Sequence, residues 1–301
     1  MKRRSFIKNT GLGLGALAFL NNRTLAAYLD DPAFKIRMLK KDIGIFTERG
    51  GTILFMLSKE GTVIVDAQFP DTAGHLINEI RKRTVHPFRL LINTHHHGDH
   101  SSGNLAFKDL VLHVLAHENS KTNQQNAAVK NKTEDKQFYP YQTYTDIWCE
   151  KIGKEEVCLH YFGAAHTNGD SVVEFHKAKT VHMGDLVFNR RHPYVDRSSG
   201  ANIKNWITVL DKTIITFPAN TNFICGHAAT GYDVLVKQND LRAFQHYLQQ
   251  LLLHVEAEIK SGKTLDEILK STSSIPGAAE WTGAGVDRPL KAAFEELTNA
   301  S

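Results

Sequence analysis

Asn93-Thr94-His95-His96-His97-Gly98-Asp99-His100 is the stretch on which this chain turns. It follows directly on Leu90-Leu91-Ile92, an apolar run that reads as the end of a buried strand. Ligand residues suit a loop leaving a strand, because the sheet fixes the backbone while the loop aims the side chains. His95, His97, Asp99 and His100 place three imidazoles and a carboxylate close together in sequence. The His-x-His spacing sets His95 and His97 on one side of an extended chain, so both can converge on one ion. Asp99 and His100 then begin a turn into a helix and can face a second ion, roughly 3.5–4 Å from the first. Four ligand-type residues at this spacing argue against an accidental cluster on a surface loop.

Two ions need further ligands, and the chain has 16 histidines from which to draw. His166 lies between Gly163-Ala164-Ala165 and Thr167-Asn168-Gly169-Asp170. Asp185 closes the run His182-Met183-Gly184-Asp185, and His227 closes Phe223-Ile224-Cys225-Gly226-His227. Each is predicted to end a strand near a glycine, which permits close backbone approach. His96 and His182 neighbour these residues and are expected to point away, since side chains alternate along extended chain.

In this order the residues resemble the metallo-β-lactamase superfamily over roughly positions 36–260. The likeness rests on the His-x-His-x-Asp-His segment at 95–100, on Ala164-Ala165-His166-Thr167, on Gly184-Asp185 and on Gly226-His227. Val65-Asp66-Ala67 resembles the family's early aspartate, which supports the site without binding metal. The resemblance implies a four-layer αβ/βα sandwich, a single α/β domain with the metal site at one edge between its halves. It implies that His95, His97 and His166 hold one zinc ion, that Asp99, His100 and His227 hold the other, and that Asp185 bridges them. Iron and manganese are the other metals expected for such a set. One departure is local: many family members follow the last histidine with glycine, whereas Ala228 and Ala229 follow His227 here.

The expected chemistry is metal-dependent hydrolysis. Zinc lowers the pKa of bound water towards ~7, and a hydroxide held between two ions attacks a carbonyl while the ions bind the developing charge. Asp99 is the expected catalytic carboxylate, orienting the nucleophile or passing a proton. No Gly-x-Ser-x-Gly elbow is present. β-Lactamase branches of the superfamily generally carry cysteine or serine where Asp185 stands, so the resemblance favours an ester, thioester or lactone as substrate. Two alternatives stay open: an exported β-lactamase and a non-catalytic metal-binding protein. Phe46, the Arg49–Gly51 turn, the tyrosines of 139–144, Arg190, His192 and Tyr194 are candidate substrate contacts.

Charge excludes other classes. The 301-residue chain has 36 basic and 32 acidic side chains, a net of +4. Residues 1–27 hold Lys2, Arg3, Arg4, Lys8 and Arg23 and no acid, so the remainder carries 31 basic and 32 acidic residues, a net of −1. A nucleic-acid partner is therefore not expected. A basic start, an apolar run over 10–20 and small residues at Ala26 and Ala27 have the layout of an export signal. Arg3-Arg4 in Lys2-Arg3-Arg4-Ser5-Phe6-Ile7-Lys8 resembles the twin-arginine motif. The apolar run is too short for a stable membrane anchor. The expectation is a periplasmic or secreted protein that meets the twin-arginine machinery transiently and acts on a small molecule. Three cysteines make no disulfide framework. Cys149 and Cys158 flank a hairpin signal at Gly153 and either pair across it or remain free thiols.

The rest of the chain alternates strands and helices in two comparable halves. Strands are predicted over 36–38, 43–46, 52–57, 61–65, 89–93 and 111–115, with helices over 72–84 and 102–110. In the second half, strands are predicted over 156–161, 171–176, 180–183 and 221–225, with helices over 202–216 and 234–261. Residues 118–147 are polar, then aromatic, and read either as a solvated helical insertion or as a lid. The predicted organisation is a signal over 1–27, one domain over 28–263, and a helical extension over 264–301 packed on it.

Overall fold

The computed structural model describes residues 34–298. The export signal expected at 1–27 lies outside the described residues. The first half forms a seven-stranded sheet, taken in spatial order as β1 (Lys35–Met38), β2 (Ile43–Thr47), β3 (Ile53–Met56), β4 (Thr62–Val65), β5 (Phe88–Asn93), β6 (Val111–His117) and β7 (Gln142–Tyr144). The β2–β3–β4 meander is antiparallel, and β4 to β7 run parallel. Val63-Ile64-Val65 and Leu90-Leu91-Ile92 are continuously apolar because their strands are buried on both faces.

The second half forms a six-stranded sheet ordered β13 (Leu235–Val236), β12 (Asn222–Ala228), β11 (Thr180–Asn189), β10 (Val172–Phe175), β9 (Glu155–His160) and β8 (Ile147–Ile152). The two sheets face each other. Leu54, Val63, Val65, Leu90, Ile92 and Leu115 of the first share one buried cluster with Val157, Leu159, Val173, Phe175 and Ile224 of the second.

Helices cover the outer faces. In α1 (Pro70–Arg81), Ala73, Leu76, Ile77 and Ile80 lie at helical spacing and are buried. Short α2 (Gly98–Ser101) and α3 (Glu118–Asn131) follow β5 and β6. On the second sheet, α4 (Ile203–Thr216) and α5 (Gln238–Lys260) bury Trp206, Phe244, Tyr247 and Leu248 against Met183, Phe188 and Phe223. The last helices, α6 (Leu265–Ser271) and α7 (Asp287–Thr298), bring Ile268 and Leu290 into that same cluster, together with Ile275 and Trp281 of the segment between them. This is the four-layer α/β sandwich expected. No described helix is long and apolar enough to cross a membrane.

Several local expectations are corrected. The helix expected over 102–110 is a shorter 3-10 turn, Ser102–Phe107, in which Gly103 packs on the Ala67 backbone where a side chain would clash. Segment 118–147 resolves into α3, β7 and the start of β8. Two of its aromatics are engaged elsewhere than in a lid: Tyr144 is buried with its hydroxyl donating to Ser171 Oγ at 2.7 Å, and the Tyr141 hydroxyl reaches the Leu112 carbonyl. The strand expected over 180–183 continues to Asn189, through a register shift around Gly184. The helix expected from Val234 starts at Gln238, after β13 has paired with β12. Cys149 and Cys158 are opposed across β8 and β9 and are disulfide-bonded, whereas Cys225 is a buried free thiol.

Candidate metal centre

All seven predicted ligands come together at the end of the sandwich where the parallel strands deliver their carboxyl termini, the usual place for a site in a parallel sheet. His95 leaves β5, His97 caps α2, and Asp99 and His100 lie within its single turn. His166 comes from the β9–β10 connection. Asp185 and His227 do not end their strands as expected. Asp185 lies inside the ten-residue β11, and His227 is the penultimate residue of β12. The shift in register beside Gly184 re-aims the strand at this point, as bulges next to functional sites do.

The side chains form two facing groups. In the first, His95 Nε2 lies 3.0 Å from His97 Nδ1, and His166 Nε2 lies 2.9 Å from the same atom. The outer nitrogens fix which inner one is bare. His166 Nδ1 donates to the Tyr194 carbonyl at 2.7 Å, and His97 Nε2 donates to Asp196 Oδ2 at 3.0 Å. Thr94 Oγ1 donates to Asp66 Oδ2 at 2.8 Å and so receives the Nδ1 proton of His95 at 3.0 Å. Three lone pairs therefore converge with no proton between them, the arrangement expected of imidazoles that bind a cation. Burial pushes the His95 imidazole well below its usual range, reinforced by the His100 charge, and takes His166 down to about 3.

In the second group, His227 Nε2 lies 3.1 Å from Asp99 Oδ2, and His100 Nε2 lies 3.4 Å from His227 Nε2. His100 Nδ1 donates to Asp66 Oδ2 at 2.7 Å. Asp185 stands between the groups. Its Oδ2 is 3.6 Å from His166 Nε2 and 4.0 Å from His95 Nε2, while its Oδ1 is 3.1 Å from His100 Nε2 and 3.5 Å from His227 Nε2. Oδ1 is buried and makes no hydrogen bond of acceptable geometry. Burial disfavours the Asp185 carboxylate, yet His227 and His100 hold it well below the ordinary range. Burial likewise opposes a charged His100, but Asp185 and Asp66 raise it well above its usual value. The potential that draws a proton onto His100 would equally draw a metal ion.

Backbone shape makes room for this cluster. A Cβ on Gly226 would collide with Asp185 Oδ1, and one on Gly51 would collide with the His100 ring. The residues present thus fit a pair of divalent ions, one against His95, His97 and His166 and one against Asp99, His100 and His227. The ligand atoms within each group lie no more than 4.8 Å apart.

Some supporting residues escape sequence reasoning. Asp196 is an isolated acid in a loop, and only the fold brings it to His97 and within 3.5 Å of His96. His96 and His182 turn away from the metal cluster, to Asp196 and to the Thr52 carbonyl at 2.9 Å respectively. Asp170, raised to about 8 by burial, accepts from the Thr167 amide and hydroxyl and shapes the loop that carries His166.

Of the candidate substrate contacts, Phe46 is fully buried, Arg49 pairs with Asp71, and Arg190 packs over Trp281 near Asp240. His192 and Tyr194 do line a cavity of about 350 Å³ that opens onto Asp99, Asp185 and His227. Segment 118–147 borders the site differently from expectation, through Asn123, Asn126 and Lys130 of α3 in a neighbouring cavity beside His96 and His97.

Comparison with known proteins places the chain in a family and agrees with this fold. The family model described as Metallo-beta-lactamase superfamily matches residues 46–227. The metallo-beta-lactamase type 2 of Elizabethkingia meningoseptica is 22% identical over 236 residues, covering 75% of this chain and 89% of the relative. Metallo-beta-lactamase IND-1 of Chryseobacterium indologenes is 25% identical over 207 residues, 66% of this chain and 82% of the relative. A metallo-beta-lactamase from Pontibacter korlensis superposes with a TM-score of 0.60 at 19% identity, covering 72% of this chain and 99% of the other. The stereoselective inverting sec-alkylsulfatase Pisa1 from Pseudomonas sp. superposes with a TM-score of 0.68 at 13% identity, covering 86% of this chain and 49% of the other. At these identities the structural likenesses speak for the fold.

Proposed function

Because the chain belongs to the metallo-β-lactamase superfamily of hydrolases, we propose that its two facing groups hold two zinc ions and that it hydrolyses an ester, thioester or lactone. The observation that carries this reading is Asp185, whose two oxygens face the two groups separately. A carboxylate aimed in this way can serve both groups at once. When bound, a zinc pair supplies a hydroxide nucleophile near neutral pH and a Lewis acid for the developing oxyanion. Iron or manganese would suit the same nitrogen and oxygen donors.

The remaining work falls to the chain's own residues. Asp99 is one-third exposed at its side chain and borders the cavity. Burial would raise its pKa, but the hydrogen bond from His227 and the His100 charge lower it, so Asp99 is a carboxylate at neutral pH. Its Oδ2 can accept a proton from the nucleophile and deliver it to the leaving group. With metal bound, Asp66, Asp196 and the Tyr194 carbonyl would accept the outer N–H protons of His100, His97 and His166, leaving the inward nitrogens free as ligands.

A second reading, hydrolysis of β-lactams, is favoured by the two curated relatives, both named metallo-β-lactamases. Asp185 counts against it, since the resemblance places cysteine or serine there in β-lactamase branches. The metal-loaded mature protein should be assayed on aryl esters, acyl thioesters, lactones, β-lactams, and phosphate and sulfate esters. Turnover of the carbonyl esters in preference to β-lactams is expected; turnover of β-lactams alone would replace the first reading with the second. Stoichiometric metal with no turnover on any class would indicate a metal-binding protein without catalysis. In Asp185→Ala, bound metal should fall from two ions per chain to one or fewer, and hydrolysis should be lost. Full activity in that variant would remove the bridging role.

We also propose export by the twin-arginine route, with no stable membrane anchor and a periplasmic or secreted mature chain. The Arg3-Arg4 motif supports this, and the Cys149–Cys158 disulfide suits an oxidising compartment. Replacing both arginines with lysine should leave the full-length precursor in the cytoplasm, as read by fractionation.

A further inference from the structure

The cavity beside the proposed metal pair has two walls of different origin. One is the ligand loop and the end of β11; the other is built by Ala284, Gly285 and Arg288, which lie beyond the stretch matched by the family model. This second wall is pinned in place. Arg191 forms a β-bridge with Thr282, Trp281 Nε1 donates to the Phe188 carbonyl at 3.3 Å, and Pro289 and Leu290 are buried.

Two cations, Arg191 and Arg288, line this cavity. Both are exposed, and neither makes an ion pair among the described residues. Their neighbours behave differently: Arg190 packs over Trp281 near Asp240, and Arg197 pairs with Glu296. The acids of the cavity, Asp99 and Asp185, are engaged by His227 and His100 and are not available to neutralise the arginines. Arg288 also stands in the first turn of α7, where the helix dipole disfavours a positive charge. A residue set against its local electrostatics at the mouth of a site is a candidate for ligand binding.

We propose that Arg191 and Arg288 form an anion subsite, so that the substrate carries a carboxylate, sulfate or sulfonate group near the scissile bond. This rests on the hydrolase reading above and narrows its substrate class. A guanidinium presents a planar fork of donors that matches the oxygens of such groups. The C-terminal segment is then a specificity element as well as a packing one.

The test uses size-matched aryl esters bearing a terminal carboxylate, sulfonate or neutral amide, assayed on the metal-loaded mature protein. The wild type should prefer one or both anionic members in kcat/KM by about tenfold or more. Arg191→Ala and Arg288→Ala should each cut the anionic-to-neutral ratio about tenfold, with Arg288→Lys retaining part of it, while Arg83→Ala, remote and just beyond the end of α1, leaves the ratio unchanged. The preferred member tells carboxylate from sulfonate. A wild type without preference, or variants that slow all members equally, would overturn the proposal. A calorimetric arm measures benzenesulfonate, a poor metal ligand, binding to the metal-loaded protein. The double alanine variant should bind it about tenfold or more weakly, and unchanged binding would also overturn the subsite. If no ester is hydrolysed, the hydrolase reading fails by itself and the calorimetry still decides the subsite.

Discussion

Asp66 shows how a single side chain organises the candidate site. It has no solvent exposure and a φ of +66, in the left-handed region that few residues other than glycine enter without strain. Its Oδ1 accepts from the Thr94 amide at 2.7 Å, and its Oδ2 accepts from Thr94 Oγ1 and His100 Nδ1. One carboxylate thus fixes the start of the ligand loop and the tautomer of a ligand. Asn tolerates the same backbone region, so Asp66→Asn removes the charge without adding strain. The expected result is a loss of about 10–100-fold in metal affinity with the fold retained, read by competition with a chromogenic chelator and by circular dichroism. The ligands themselves were legible because their chemistry is concentrated at 95–100. Asp196 was not, because its role is to meet His97, a residue 99 positions away.

At the scale of elements, periodicity revealed what is regular and missed what tertiary contacts impose. α1 reads directly from its apolar spacing, and β4 and β5 from their unbroken runs. β11 was cut short at Met183 because Gly184 and Asp185 interrupt the apolar pattern, yet pairing with β12 carries it on to Asn189. β8 was signalled only by the hairpin turn at Gly153, because its residues Ile147–Ile152 mix polar and apolar side chains on both faces and form no apolar run.

Strand β10 carries an electrostatic device. Glu174 accepts from His160 Nε2 at 3.0 Å and from His176 Nδ1 at 2.9 Å. The His160 hydrogen bond, aided by His176, holds the Glu174 carboxyl below its ordinary value, and Glu174 in turn raises His176. The lowered carboxyl contributes stability that is complete above the ordinary carboxylate pKa, ~4.3, and is lost as pH falls through the folded value. The raised His176 contributes below ~6.5 and loses its share as pH rises through its folded value. Glu174→Gln should therefore lower the melting temperature most near pH 5–6 and least at both extremes, as measured by scanning calorimetry in buffers of matched ionic strength. A difference that is flat across this range would remove the assignment.

For the molecule as a whole, the candidate centre spans both halves. His95, His97, Asp99 and His100 come from the first sheet's side, and His166, Asp185 and His227 from the second. An ion held there would link the two across the open end of the sandwich. Metal at 100 times its dissociation constant should then stabilise the fold by about 2.7 kcal/mol. Chelation should lower the melting temperature, and re-addition of zinc should restore it. The two-sheet class was legible from alternating strands and helices, whereas the pairing of the sheets came from the family resemblance, since periodicity does not say which faces meet.

Cys225 is fully buried in β12, two positions before His227, and burial pushes its thiol up to about 12. With Cys149 and Cys158 joined, it is the one free thiol among the chain's three cysteines. In the closed fold it is neither ionised nor reachable, so a thiol-specific dye reacts only when β12 opens. The chain therefore carries an intrinsic clock for the opening of a strand that bears a candidate metal ligand. Its labelling rate, followed with and without zinc, would report how firmly that strand is held without any engineered probe.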